Sequence, residues 1–330
     1  MAAGTATPPA AATTAPASGT CRLGALAMVR NECDIIELFV RINARVFDVI
    51  HVLDHRSDDA TPEILARLAA EGYPLRVTSV PGVAFEQAEV TSAAVRALAQ
   101  AGECDYIVPI DADEFLVAAD GAATPREVIA AQLAPDRHGV VAWRTFCPVG
   151  GGYYDAPAPL FTQFRMREKE PLPLHKVVLG REFAAGCTLV AGNHFAHSVG
   201  FRATPVVLPL VMQHVPVRSS DQLVRKILLG EYALSLRAAR GPLAGFHWSW
   251  MADRIRARGY RLDAAELLDF ALRYSANPAA EVAHGLLDDG PRVGTADDVM
   301  KFPELARIDL VKSFDACLGA LVAQVRAARA

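Results

Sequence analysis

Between Leu23 and Ile110 the hydrophobic period of the chain keeps changing. Leu23–Val29 is a short continuous apolar run, the pattern of a strand buried on both faces. Apolar residues at 35, 36, 38, 39 and 42 then mark one face of a helix over Asp34–Arg45, and Asp48–Asp54 is β-rich again. Thr61-Pro62-Glu63 predicts a helix start, with a capping hydroxyl, a Pro at the first helical position and an acid near the positive dipole end; Gly72 stops the helix after Glu71. Pro74–Val80 predicts a third strand, Phe85–Ala101 an Ala-rich helix and Asp105–Ile110 a fourth strand. Strands separated by helices pair in parallel, so the segment predicts an α/β fold: a mostly parallel central sheet with helices on both faces. Ligands of such sheets bind at the carboxyl ends of the strands. Asp54 and Asp111 stand at two such ends and are expected as near neighbours across one crevice.

Beyond this the pattern is mixed, then helical. A helix is expected after Thr124-Pro125. Strands are expected over Gly139–Phe146, Lys176–Phe183 and Val206–Val215, with a Gly150-Gly151-Gly152 loop between the first two. Ser219-Ser220-Asp221-Gln222 reads as a capping box, and helices follow over Ala264–Tyr274 and Phe302–Arg329. Residues 1–20 hold only Ala, Thr, Pro, Gly and Ser beside the first Met, which predicts a disordered tail and lacks the basic start and apolar middle of a secretory signal. The expected division is a tail at 1–20, an α/β unit at 21–235 and a helical C-terminal region at 236–330 packed on it.

Composition narrows the function. Lys and Arg number 33 against 37 Asp and Glu, so no basic surplus exists to neutralise a phosphate backbone, and general nucleic-acid binding is disfavoured. Apolar runs such as Val206–Met212, broken by Pro209, fall far short of the roughly 20 residues of a membrane span. The six cysteines (Cys21, Cys33, Cys104, Cys147, Cys187 and Cys317) are scattered, without CxxC spacing, and read as reduced thiols of a cytoplasmic protein. GxGxxG after the first strand, GxxxxGK[ST], GxSxG and HExxH are all missing, which counts against dinucleotide, P-loop, α/β-hydrolase and zincin chemistry.

The strongest chemical signal is IVPIDADEFLV at 107–117. An apolar strand delivers Asp111 and Asp113 at its exit, and alternate residues of an extended segment can converge on one cation. Oxygen ligands suit Mg²⁺ or Mn²⁺, which would neutralise a departing diphosphate. The bland alternative is a solvated acidic turn. Polar residues also close the first two strands: Met28-Val29-Arg30-Asn31-Glu32, and HVLDHRSDDAT at 51–61. There Asp54 could accept from a base or ribose and Arg30 could stack on or pair with a nucleotide, whereas Ser57 and Asp59 serve equally well as turn and cap residues. His194 and His197 stand three apart in a strand or loop context, which favours His194 as the functional one. Arg218, Arg225 and Lys226 follow His214; a diphosphate contact or a solvated helix face are the alternatives, the latter favoured for Arg225. Trp248 and Trp250 read as packing before sugar stacking.

MVRNE, LDHRSDDAT and DADEF, in this order and spacing, resemble the GT-A nucleotide-sugar glycosyltransferases of the family-2 type, especially the subgroup related to family 92. WRTFCPVGG (143–151), HKVVL (175–179), GNHFAH (192–197) and QHVPVRSSDQLVRKILLGE (213–231) resemble later motifs of that subgroup, with Val215 where a Tyr is usual and Cys147-Pro148 in place of Gly-Ser. The resemblance covers about 22–231. It implies a GT-A-like sheet, and inverting transfer of a hexosyl group from a nucleotide-sugar, UDP-sugar favoured, to a glycan, lipid-linked or small-molecule acceptor. It implies that Asp113 and Asp111 bind a metal–diphosphate, with Mn²⁺ or Mg²⁺ as cofactor. By the same likeness Asp54 with the Arg30, Asn31 and Glu32 turn holds the nucleoside, Lys176 contacts the diphosphate, and His214 is a late metal or phosphate ligand. An imidazole beside two carboxylates favours Mn²⁺ over Mg²⁺. A carboxylate must take the acceptor proton. Asp155, Glu168 and Glu170 are the available acids, and Asp155 is favoured because it follows the triple-Gly loop. The rivals are an aspartyl-nucleophile phosphatase, disfavoured because its DxD belongs on the first strand, and a non-catalytic nucleotide-sugar- or partner-binding relative.

Overall fold

A computed structural model describes residues 21–81, 86–119, 121, 123–148, 160–169, 173–202, 204–235, 246–274, 286–289 and 298–327. The tail at 1–20, the triple-Gly loop, Asp155 and Glu170 lie outside the described residues. In chain order the elements are β1 (Leu23–Val29), α1 (Ile36–Asn43), β2 (Val49–Asp54), α2 (Thr61–Ala70), β3 (Leu75–Ser79), α3 (Gln87–Ala101), β4 (Tyr106–Pro109) and β5 (Glu114–Ala118). Next come α4 (Pro125–Gln132), β6 (His138–Cys147), α5 (Leu160–Gln163), β7 (Met166–Glu168), β8 (His175–Gly180), α6 (Arg181–Ala184), β9 (Cys187–Leu189), β10 (Ala196–Ser198) and β11 (Val206–His214). The last are α7 (Ser220–Ser235), α8 (Phe246–Ala257), α9 (Ala264–Arg273), β12 (Leu286–Asp288) and α10 (Leu310–Ala327).

Ten of these strands form one mixed sheet in the order β12-β7-β6-β8-β4-β1-β2-β3, with β11 pairing both β6 and β5, while β9 and β10 form a separate antiparallel pair. The half predicted from the strand–helix alternation, β4-β1-β2-β3, is parallel throughout. Beyond β4, antiparallel pairing takes over at β8, β7 and β5, while β11 runs parallel to β6. Helices flank the sheet and gather at the C-terminal end, so the expected central sheet flanked by helices, with a helical C-terminal region, is present. β1 shows why its apolar run is continuous. Leu23, Ala25, Ala27 and Val29 enter the core shared with α1 and α2, while Leu26 enters the core under α3 and α6. A strand with period two, covered on both faces, needs apolar residues at both parities.

A third core joins α7 (Leu223, Val224, Ile227) to α8 (Met251, Ala252, Ile255) and α9 (Leu267, Phe270). The helices beyond 235 therefore pack on α7. Their approach is close at Gly230: a Cβ there would overlap the Trp248 ring. Trp250 packs against Phe270 with ring centroids 6.1 Å apart, so both tryptophans serve packing.

Several local expectations change. The Thr61 hydroxyl does not cap α2; it accepts the Glu32 N–H at 2.9 Å, while Asp59 takes the Thr61 N–H at 2.8 Å. At α7 the Ser219 hydroxyl accepts from Gln222 N–H as expected, but the Gln222 side chain accepts from Arg218 N–H and donates to Pro216 O, so the reciprocal half of the box is displaced. Reciprocal boxes form instead at α4, between Thr124 and Glu127, and at α9, between Asp263 and Glu266. The strand expected to Phe183 ends at Gly180, and α6 takes over. The helix expected from Phe302 begins only at Leu310. Lys301 and Phe302 give their N–H groups to the Glu37 carboxylate, and Asp309 caps α10 by accepting from Lys312 N–H at 2.9 Å. Finally, Asp54 and Asp111 are not the near neighbours expected across one crevice; β1 lies between β2 and β4, so Asp54 ends one strand and Asp111 follows another that lies roughly 10 Å away.

Candidate functional site

Register places the first part of the site. Val29 pairs with Asp54 and Asp54 with Ser79, so β1, β2 and β3 end level at their carboxyl edge. A cavity of about 400 Å³ opens there, lined by Arg30, Asp54, Arg56, Ser57, Asp58, Ser79, Ala316 and Ala320. Asp54 accepts the Ser57 N–H at 3.2 Å, and burial raises the Asp58 carboxyl. Arg30 Nε is buried and finds no hydrogen-bond partner among the described residues. Ala316 and Ala320 come from α10, whose small residues one turn apart form the far wall; the sequence offered only that spacing as a signal.

Asn31 and Glu32 leave the cavity. Asn31 adopts φ 59°, a left-handed conformation that Asn tolerates better than most residues. Its amide and carbonyl tie to Asp58, and its N–H goes to Ser57. Asn31 therefore shapes the turn. Glu32 accepts from Arg218 at 2.8 Å.

That contact opens the second part, a buried ion cluster. Arg218, 1% exposed, donates to Asp34 at 2.7 Å and reaches Asp113 at 3.5 Å. Lys226 donates to Asp113 at 2.6 Å. Burial alone would raise the Asp113 carboxyl, but Lys226, with Arg218, outweighs it and holds Asp113 well below the usual carboxylate range. Lys176, fully buried at the start of β8, donates to Asp111 at 2.7 Å and Glu114 at 2.8 Å. Burial would push its ammonium down; Asp111 and Glu114 instead hold it above its ordinary value. Glu114 is the buttress of this half: it also accepts the Asp111 N–H and the Trp143 indole N–H. Burial raises Glu32 and Glu114 to about 7 despite their cationic partners. Glu114, Asp34 and Trp143 were not among the expected site residues, although Glu114 directly follows the DxD.

Asp111, Asp113 and His214 do not converge on one point among the described residues. Asp111 faces Lys176, Gln87 and Asn193, while Asp113 faces Lys226, Arg218 and His214, and the two carboxylates share no partner here. A turn at 112–113 separates them, which is why the i, i+2 convergence of an extended strand does not apply. Among the described residues no group of three His, Cys, Asp or Glu side chains is arranged to hold a metal ion. The expected set of Asp111, Asp113 and His214 does not fit a shared cation in this arrangement. His214 is indeed beside Asp113, its Nε2 3.7 Å from Oδ1. Its other nitrogen lies 3.3 Å from the Thr145 hydroxyl, and its ring stacks on Trp143 at 4.4 Å. Burial keeps the imidazole well below its ordinary value and so neutral near pH 7.

The remaining candidates make contacts within the fold. His194 bonds the His175 carbonyl at 2.9 Å and meets Trp143 edge-on. Arg225 is no solvated residue: it is buried, bonds Asp59 at 2.9 Å and reaches the Asn31 carbonyl. Asp59 in turn holds the Cys33 and Thr61 N–H groups.

No protein-family model and no curated protein matches the chain. Solved structures give faint likenesses. The mannosyltransferase PcManGT from Pyrobaculum calidifontis, in complex with GDP-Man and Mn²⁺, is 18% identical over 80% of this chain and 77% of that one, with a TM-score of 0.37. TarS 1-349 from S. aureus is 11% identical over 72% of each chain, with a TM-score of 0.34. Glucosyl-3-phosphoglycerate synthase from Mycobacterium tuberculosis, in complex with Mn²⁺, UDP and glucosyl-3-phosphoglycerate, is 22% identical over 38% of this chain and 44% of that one, with a TM-score of 0.27. Likenesses of this size carry no assignment by themselves.

Proposed function

We propose that this chain is a glycosyltransferase that moves a hexosyl group from a nucleotide-sugar to an acceptor hydroxyl. One observation carries the reading: the Arg30–Glu32 turn joins the two halves of the site, with Arg30 in the cavity and Glu32 in the ion cluster. A nucleoside fits the cavity, where Asp54 accepts from base or ribose donors and Arg30 supplies a cation. The diphosphate then extends past residue 32 toward Lys226, whose side chain is 22% exposed, and toward Asp111, the 29% exposed partner of Lys176. Ammonium groups held at the strand ends stabilise the negative charge that develops on the leaving diphosphate. The reaction proposed is a single displacement with inversion. UDP-sugars are the favoured donors, and glycans, lipid-linked sugars or small molecules the acceptors. In this reading 21–235 carries the donor site and the helices beyond add its far wall. A cytoplasmic location goes with it: all six cysteines are free thiols. No helix among the described residues is long and apolar enough to cross a membrane.

A second reading, a nucleotide-sugar-binding relative without turnover, is favoured by one fact: Asp111 and Asp113 are already satisfied inside the chain. Calorimetric titration with UDP-glucose, UDP-N-acetylglucosamine and GDP-mannose, paired with an assay for released nucleoside diphosphate, separates the two. Transfer requires binding and release. Ala320→Glu, which places a carboxylate in the cavity wall, is expected to weaken donor binding at least about tenfold, or 1.4 kcal/mol. Binding of none of the three donors would overturn both readings.

A further inference from the structure

We propose that Glu168 is the base that takes the acceptor proton, an inference resting on the glycosyl-transfer reading above. Glu168 ends β7, one step beyond the Arg167–Phe146 pair, which brings it opposite Thr145 of β6. Thr145 pairs with His214 of β11, and His214 with Glu114 of β5. Glu168, Thr145, His214 and Glu114 thus form a row across four neighbouring strands, and residues paired across strands share a face. The contacts follow the row. Thr145 gives Glu168 its hydroxyl and its backbone N–H, the Thr145 hydroxyl lies 3.3 Å from His214 Nδ1, and His214 Nε2 lies 3.7 Å from Asp113. A polar path therefore leads from Glu168 to the edge of the ion cluster.

The other raised carboxylates of this region are engaged. Glu32 is held by Arg218, and Glu114 by Lys176, Trp143 and the Asp111 N–H. Glu168 is only half-buried. The cations beside it place these hydrogen bonds on other groups than its carboxylate: Arg167 donates to Asp289 at 2.6 Å and to the Glu168 backbone carbonyl at 3.0 Å, and Arg144 to the Trp143 carbonyl at 2.9 Å. Cys147 is the thiol facing it from β6. Burial raises Glu168 to about 7, opposed by the Thr145 hydrogen bonds and by Arg144 and Arg167. A base with that value is half ionised at neutral pH and still takes a proton readily.

In the step, the acceptor oxygen bonds to the anomeric carbon as the bond from that carbon to the diphosphate oxygen breaks. That electron pair leaves on the nucleoside diphosphate, and the acceptor proton passes to the Glu168 carboxylate. Thr145 acts as a positioning residue. Asp155, the acid favoured from the sequence, is the direct competitor.

The test compares wild type, Glu168→Gln, Asp155→Asn and Thr145→Val, with water as acceptor and UDP-glucose, UDP-N-acetylglucosamine or GDP-mannose as donor. Circular dichroism checks folding, calorimetry donor affinity, and nucleoside diphosphate release turnover from pH 5.5 to 8.5. Wild-type turnover should rise with pH through about 7, because the base must be ionised. Glu168→Gln should keep donor affinity, lose about 10²–10⁴-fold in kcat and lose that pH rise. Thr145→Val, which removes a hydrogen bond to the charged form, should move the midpoint to higher pH with donor affinity unchanged. Unchanged turnover in Glu168→Gln, or its loss in Asp155→Asn alone, would overturn Glu168 and leave glycosyl transfer standing. Failure of wild type to bind any donor would overturn the transfer reading, and this inference with it.

Discussion

Asp113 and Lys226 meet at 2.6 Å with unequal access to water: the Asp113 side chain is 2% exposed, the Lys226 side chain 22%. The pair is thus a buried acid held by a cation whose side chain is partly exposed. Removing the cation leaves the acid with Arg218 at 3.5 Å and a neutral imidazole. Lys226→Met is expected to lower unfolding free energy by about 3 kcal/mol, the low end for an opened buried pair. Urea denaturation measures it, and Lys226→Met with Asp113→Asn should recover most of the loss. A loss below 1 kcal/mol would mean that water already serves Asp113.

The metal question has a direct readout. Because Lys176 and Lys226 already occupy Asp111 and Asp113, 1 mM Mn²⁺ or Mg²⁺ alone is expected to leave the melting temperature within about 1 °C. A rise of several degrees that Asp113→Asn abolishes would restore the expected set of Asp111, Asp113 and His214.

Glu32 makes stability depend on pH in a definite direction. Its folded value, raised to about 7 by burial against the pull of Lys226 and Arg218, lies above the unfolded value of about 4.3. The folded state therefore binds the proton more tightly. The contribution is complete below the unfolded value and is lost as pH rises through about 7. Glu32→Gln should flatten the fall in unfolding free energy across that window, by up to about 1.4 kcal/mol per pH unit. Urea midpoints taken from pH 4.5 to 7.5 test this; a steeper fall in the variant would reverse the sign.

Gly230 is a packing prediction. Trp248 occupies the space that a side chain at 230 would need, and α7 and α8 share one core there. Gly230→Ala should cost about 1–3 kcal/mol despite Ala's better helix propensity, because α8 must shift. A stabilised variant would show that the Trp248 ring yields freely.

The parallel half of the sheet was legible because its signals are local. The apolar run of β1, the helix stop at Gly72 and the strand ending at Asp54 each depend on a few neighbours. The cavity residues Arg30 and Asp54 were legible for the same reason, since strand ends in such a sheet are where ligands bind. What the sequence concealed is long-range pairing. Nothing near Asp111 announces that Lys176, 65 residues on, will hold it, or that Arg218 will join Asp34 across 184 residues. The assumption that Asp111 and Asp113 converge failed for a related reason: it presumed extended backbone where a turn intervenes. Thr61 was misjudged because its hydroxyl, a good local cap, was claimed by the distant Glu32 N–H.

Ala316 and Ala320 give the cavity a biosynthetic order. Its floor is built from residues 30–79 and its far wall from 316–320, far later in the chain. During synthesis the first half of the sheet emerges long before the helix that closes the cavity over Arg30 and Asp54. A nascent chain stalled before residue 310 can pair its parallel strands but presents those two side chains on an open ledge. Enclosure of a ligand begins only when α10 has emerged and docks.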